Sequence, residues 1–340
     1  MSEQRNTINF QEKTYPEFAR IAAETQIDDF NPISDLVCPF FEVEVLDGTY
    51  RKIKARDIYR PKDVKHGRGA PIKSSEFEWE TATYSCSGRG QKAIIDRNLT
   101  ASERAKPGGF ENLVIDYVEM KAKDVKLARE IEVASLYFDE SQYAAANVID
   151  LKNDDGYYPL NDYANSPNFF MLMRQAIRAV RGRANAVIMG YRVYDAVCEN
   201  PTVLASVLGG ATVRDPADIT EDLLARKIFG RADLGKVYVG ESDYDASTTE
   251  EAGELTPIWG DCILVCHLNP AAMTNQLVPT FAKTFAFKQE GSVDYYSVRQ
   301  WYDPDYGSAG SDVVAVSQDV DPKIIDPYKG FLFTNAYYSA

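Results

Sequence analysis

Two histidines, five cysteines and one run of carboxylates are the parts of this 340-residue chain that invite a chemical reading. Cys262, Cys266 and His267 suggest zinc. On a strand, however, positions 262 and 266 share a face while 267 points to the other. No second Cys/His pair completes four ligands. His66 lies in a basic stretch, and His267 ends an apolar run, where a core or strand-edge role outweighs catalysis. No Ser occupies a Gly-x-Ser-x-Gly elbow, so acyl transfer has no visible nucleophile. Gly88-Arg89-Gly90 lacks the third Gly and the strand–helix context of a dinucleotide site, and no phosphate loop is present. Glu241, Asp243, Asp245, Glu250, Glu251 and Glu254 fall close together without one base. They lack the Gly-centred spacing of a calcium loop and read as a solvated acidic loop. Carboxylates are plentiful, so a carboxylate-dependent soluble hydrolase stands as the rival functional class. No catalytic set, no metal site and no cofactor follow from these residues.

The elements that would position any chemistry belong to a folded chain. It is 45% hydrophobic and 26% charged, which excludes wholesale disorder, collagen and coiled coil. The length suggests two domains or one large one. A formal charge of −14 argues against a surface that grips nucleic acid all over, since phosphate binding needs Lys and Arg; it leaves room for a local basic patch. Cys38, Cys86, Cys198, Cys262 and Cys266 are odd in number and scattered, so reduced thiols fit better than a secreted disulfide scaffold. No apolar run reaches the ~18 residues of a membrane helix, and the start lacks the apolar core of a signal peptide. A product made in a reducing cytoplasm is expected.

Residues 1–36 read as an arm with one short amphipathic helix beginning at Pro16, either disordered or packed on a neighbour. Phe41 to Leu46, then Asp47-Gly48, then Thr49 to Lys54 predict a tight hairpin, with both turn positions at positive φ. Lys52, Lys54 and Arg56 fall on one face of a strand, and Glu76, Glu78 and Glu80 on one face of another. The connection carries Arg60, Lys62, Lys65 and Arg68 among glycines. Folded back, the block 51–80 makes a two-stranded ribbon with a basic tip, and its charge of +4 contrasts with the acidic remainder. An isolated ribbon is marginal in water. One this long wants a second surface, so these ten charged residues are the candidate subunit contacts.

After Pro107-Gly108-Gly109, residues 110–140 read as one long helix of roughly 45 Å. Its stripe is Phe110, Leu113, Tyr117, Met120, Leu127, Ile131, Ala134 and Phe138, broken by Asp124 and widened by Val114, Val118, Val125 and Ala128. A second helix follows Ser166-Pro167, with the serine as cap. Ala186–Gly190 is a short buried strand; helices are expected over 191–208 and 218–229, and strands over 236–240 and 261–268. From 280 onward the pattern is strand-like: 281–287, 295–302, 312–316 and 331–337.

These segments carry a resemblance. Gly48-Thr-Tyr50, Arg68-Gly-Ala-Pro71, Tyr84-Ser-Cys86, Asp96-Arg97-Asn98 and the Arg129-Glu130 pair come first. Val187-Ile-Met-Gly190, Asn200-Pro201, Leu223-Leu-Ala225 with Phe229-Gly230, and Val237-Tyr-Val-Gly240 follow. Ile258-Trp-Gly-Asp261, Pro279-Thr-Phe281 and Phe285-Ala-Phe287 complete the set. From about residue 37 to the end, the sequence resembles the major capsid proteins of tailed double-stranded DNA bacteriophages. The resemblance implies an α+β, Hong-Kong-97-like fold. Residues 1–40 would be an N-terminal arm and 41–95 an extended loop with its base. Residues 96–164 would form a peripheral domain with the spine helix at 110–140, 165–275 an axial domain, and 276–340 a β-rich return, mainly to the peripheral domain. It implies a structural, non-enzymatic shell subunit assembling with itself as hexamers and pentamers, in the virion, after assembly in the host cytoplasm. DNA would be contents, without specific binding, and no membrane is involved. A portal and decoration proteins are implied partners. No long charged helical segment precedes the arm, so guidance would come from a separate scaffolding protein or none. A cargo-compartment shell of the same fold is the near alternative.

Overall fold

The computed structural model describes residues 13–25, 32–53, 61–66, 68, 71–74, 78–96, 101, 106–154, 156–165, 168–209, 215–231, 233–247, 253, 255–307 and 310–338. Two β-sheets with their helices make up the core. The first sheet contains β1 (Lys13–Thr14), β2 (Phe40–Val43), β5 (Ser87–Asp96), β12 (Ala282–Phe287), β13 (Ser297–Asp303) and β14 (Ser311–Ile324). Its order is β1-β13-β14-β12-β2, with β5 also paired to β14. From Val314 to Pro322 the even-numbered residues of β14 are buried and the odd ones half-buried, the period-two pattern of a strand with one covered face.

The cover is α3 (Gly109–Tyr137), 29 residues in one unbroken helix. It buries Val114, Val118, Ala122, Val125, Val133, Ala134 and Tyr137. The apolar stripe therefore lies one position beside the expected one. Leu113, Tyr117, Leu127 and Ile131 are half-buried flanks, Ala128 is exposed, and Met120 is 59% exposed. Steps of four along Val114, Val118 and Ala122 fit a straight helix on a twisted sheet better than a heptad seam does. Within the arm, the described residues do not form a free tail. α1 (Pro16–Glu24) buries Ala19 and Ala22 against Val118, Val298 and their neighbours, so this part of the arm packs on its own chain.

The second sheet runs β6-β15-β11-β7-β8, from β6 (Val148–Asp150), β15 (Gly330–Thr334), β11 (Ile263–Cys266), β7 (Ala186–Gly190) and β8 (Lys236–Gly240). Two of its strands, β6 and β15, come from outside 165–275; the chain's last strand sits in this sheet's interior. The helices α4 (Phe169–Ala179), α5 (Tyr191–Glu199), α6 (Pro201–Leu208) and α7 (Glu221–Phe229) complete the unit. Phe169, Val193, Val203 and Leu224 join Val187, Val265 and Phe333 in one core on one face. The expected helix over 191–208 breaks at Asn200, whose side chain caps Thr202 N, with Pro201 at the first helical position. Asn168 caps α4 by accepting from Phe170 N, in place of the serine expected two residues earlier, which lies outside the described residues. The sheet's other face meets the first unit: Ile188, Leu264 and Leu332 pack with Tyr137, Trp259 and Phe281. Gly240 admits the Trp259 ring, since a Cβ there would lie 2.0 Å from it.

Candidate assembly interface

The ribbon is β3 (Asp47–Ile53) paired antiparallel with β4 (Trp79–Ser85). Its register corrects the expected hairpin. Asp47 and Gly48 are not a turn; they lie within β3 opposite Ser85 and Tyr84. Residues 40–43 pair instead with β12, in parallel. Gly48 is needed for close approach, because a Cβ would fall 2.5 Å from the Tyr84 hydroxyl. The base of the ribbon is fixed. Tyr84 stacks on Phe285 with ring centroids 4.7 Å apart, and Tyr50 lies 4.8 Å from the same ring. Ser85 N donates to Asp321 at 2.8 Å.

Away from the base the ribbon runs into solvent. Lys52 faces Glu80 in register, with Nζ 3.4 Å from the carboxylate. Lys54, Arg56, Arg60 and Glu76 lie outside the described residues. Glu78 directly precedes β4. Lys65 and Arg68 are exposed, and Lys62 is half-buried. Lys73 pairs with Asp63, and Lys65 N donates to the same carboxylate at 3.2 Å. Val64 and Ile72 are 81% and 82% exposed, and Trp79 is 44% exposed. Apolar side chains held this far open beside bases form a surface suited to a macromolecular contact.

The arm is anchored by three charges on the buried side of α3. Lys126 Nζ donates to the carbonyls of Ala23 and Thr25, at 3.0 and 2.8 Å, at the C-terminal end of α1. Four residues on, Glu130 accepts Ile33 N and Ser34 N, both at 2.9 Å, at the N-terminal end of α2 (Ser34–Val37). A cation at a helix C-terminus and an anion at an N-terminus each match the helix dipole. Arg129 pairs with Asp35, donates to Cys38 O at 3.0 Å, and lies 3.8 Å over the Phe40 ring. Burial pushes Arg129 down to about 10 and lowers Lys126. Arg129 and Glu130 were visible only through the resemblance. The physical signal was their phase: with Val125 and Val133 inward, positions 126, 129 and 130 must turn inward too.

The residues first read for chemistry do not converge. His267 is half-buried, with Nδ1 2.9 Å from Arg183 O, and burial lowers its pKa. Cys266 is buried and Cys262 half-buried, and burial raises both thiols. All five cysteines are free. Among the described residues no cluster of three His, Cys, Asp or Glu could hold a metal, and no helix is long and apolar enough to cross a membrane.

Comparison with known proteins gives the class. A phage-related protein from Bordetella bronchiseptica RB50 superposes with a TM-score of 0.71 at 19% identity, covering 95% of this chain and 97% of that one. The capsid of Cyanophage P-SCSP1u gives 0.52 at 9% identity, over 91% and 89%. The chain has the Hong-Kong-97-like, α+β capsid fold. By sequence it is similar to the major capsid protein of Pseudomonas phage JBD67, 24% identical over 306 residues, which are 89% of this chain and 91% of that protein. Fold and sequence thus support a phage major capsid protein, a structural class and not an enzyme. No family model matches.

Proposed function

We propose that this chain is the shell subunit of a phage head, assembling with itself as hexamers and pentamers into a closed icosahedral shell around double-stranded DNA. The observation that carries the reading is coverage: the sequence relative, the phage-related protein and the cyanophage capsid each match nearly the whole chain, not one domain of it. In this reading α3 is the spine helix of the peripheral domain, and the second sheet with α4–α7 is the axial domain. The ribbon reaches an adjacent subunit. Lys52, Lys54, Arg56, Arg60, Lys62, Lys65, Arg68, Glu76, Glu78 and Glu80 are its contact residues, with the neighbour's acidic segments 150–162 or 241–254 as counter-surface. The net charge of −14 keeps the shell from adhering to packaged phosphate everywhere. Assembly takes place in the host cytoplasm, and a separate scaffolding protein, a portal and decoration proteins are further partners.

Velocity sedimentation of the purified protein tests the reading. Wild-type protein should sediment as megadalton particles. Lys62→Glu with Lys65→Glu and Arg68→Glu should leave a folded monomer, since these positions touch no core. It should lower particle yield most at low salt, where like charges are least screened. A wild-type chain found only as small oligomers contradicts the proposal.

A further inference from the structure

The second sheet and its helices are polarised in charge. Arg174 and Arg178 stand one turn apart on the exposed side of α4, and Arg181 and Arg183 continue beyond its end. Arg181 stacks 3.8 Å over the ring of Tyr328, itself 43% exposed. Among the described residues none of these four arginines has a carboxylate within ion-pair distance. Four uncompensated arginines so close together stand out in a chain of charge −14.

The opposite charge gathers at the other end of the sheet. β7 and β8 are parallel. Arg181 and Arg183 lie just before β7 begins, and Glu241 directly follows the end of β8. Five residues of strand, about 17 Å, separate the two ends. Asp195 and Glu199, one turn apart on α5, and Glu221, in the first turn of α7, are exposed near Glu241. Burial, then Glu199 and Glu241, raise the Asp195 carboxyl; burial, then Glu241 and Asp222, raise Glu221. Helix dipoles account for Arg178 in the last turn of α4 and for Glu221 in the first turn of α7. They do not account for Arg174, for Arg183, or for Glu199 at the C-terminal end of α5, where the dipole opposes an anion.

We infer that the arginine face of α4 docks on the acidic end of the second sheet in a neighbouring copy of this chain. Every copy carries both surfaces, and two different surfaces of identical chains make a heterologous contact, the kind that builds a ring where the rotation between copies closes. A nucleic-acid phosphate would match the arginines as well, but it would face the long-range repulsion of the rest of an acidic chain. A second copy brings the matching charge at a fixed place. The inference rests on the shell-subunit reading.

Reciprocal charge reversal tests it. Arg174→Glu with Arg178→Glu sets acid against acid and should cut particle yield about tenfold at low salt. Asp195→Lys with Glu241→Lys sets base against base and should do the same. The chain carrying all four changes should assemble again, a rescue that only two facing surfaces allow. Circular dichroism confirms folding of each unassembled protein. If an arginine variant does not fold, Arg174→Gln with Arg178→Gln replaces it, with weaker assembly and a flatter salt dependence expected. Double variants that assemble normally, or a four-fold variant as defective as its parents, overturn the inference. So does an arginine variant that assembles normally but loses retention on immobilised double-stranded DNA. Absence of particles from the wild type instead overturns the shell reading, and this inference with it.

Discussion

The Glu130 carboxylate accepts the indole N–H of Trp259 at 2.6 Å, across 129 residues of sequence. The same group holds the backbone N–H of Ile33 and Ser34. One buried anion thus ties the long helix, the arm and the loop that seals the junction of the two sheets. Fixing the arm to its own subunit fixes where the chain leaves it, which a shell built from repeated contacts requires.

Glu130→Gln keeps the shape but turns one acceptor into a donor. At least one buried N–H then loses its partner, at a cost of about 1–3 kcal/mol. Urea unfolding of the unassembled protein should show this, and limited proteolysis should cut the arm sooner. An unchanged midpoint with an equally protected arm would show that the anchor contributes nothing.

Lys283 is fully buried beneath Phe41, 4.4 Å from its ring, and lies opposite Lys323 across the sheet. Burial holds its ammonium down to about 8, against an ordinary 10.5. The unfolded chain therefore keeps the proton to higher pH than the folded one. The burial penalty is full below pH 8, declines as pH rises toward 10.5, and is gone above. Wild-type stability should gain about 1 kcal/mol from pH 7 to pH 9 relative to Lys283→Met, and the variant should be the more stable at pH 7. Parallel pH profiles for the two proteins would refute this.

The sequence carried the element order well, because long periodic runs and Pro or Gly breaks are local signals. It carried phase and register poorly. The buried stripe on α3 lies one position off the expected one because Leu, Ile and Met on the flanks look more apolar than Val and Ala in the true interface. β14 extends to Ile324 although Gln318, Asp319, Asp321 and Pro322 look like a loop. Gln318 is buried on the sheet face that the long helix covers, which no local pattern reveals. The Asp47-Gly48 pair mimicked a turn, and only the distant Tyr84 ring explains the glycine. The anchoring charges were hidden for the same reason, since their partners lie about a hundred residues away.

The shifted stripe has a measurable consequence. Leu127 is half-buried and Leu264 fully buried. Leu264→Ala should cost about 2–5 kcal/mol, and Leu127→Ala under about 2. Equal costs in chemical denaturation would restore Leu127 to the core.

Lys52 and Glu80 are partly exposed, with side chains 32% and 56% accessible. Lys52→Ala should therefore change monomer stability by no more than a few tenths of a kcal/mol. Any larger loss, read by thermal unfolding, would make the ribbon's charges structural within the subunit and not contacts between subunits.

The central claim is that this chain builds a closed shell. Negative-stain electron microscopy of the purified wild-type protein tests it most directly. Hollow, closed particles of uniform diameter, with rings of subunits on their surface, are the predicted result. A field of monomers or small oligomers, under conditions where circular dichroism shows the chain folded, would contradict it.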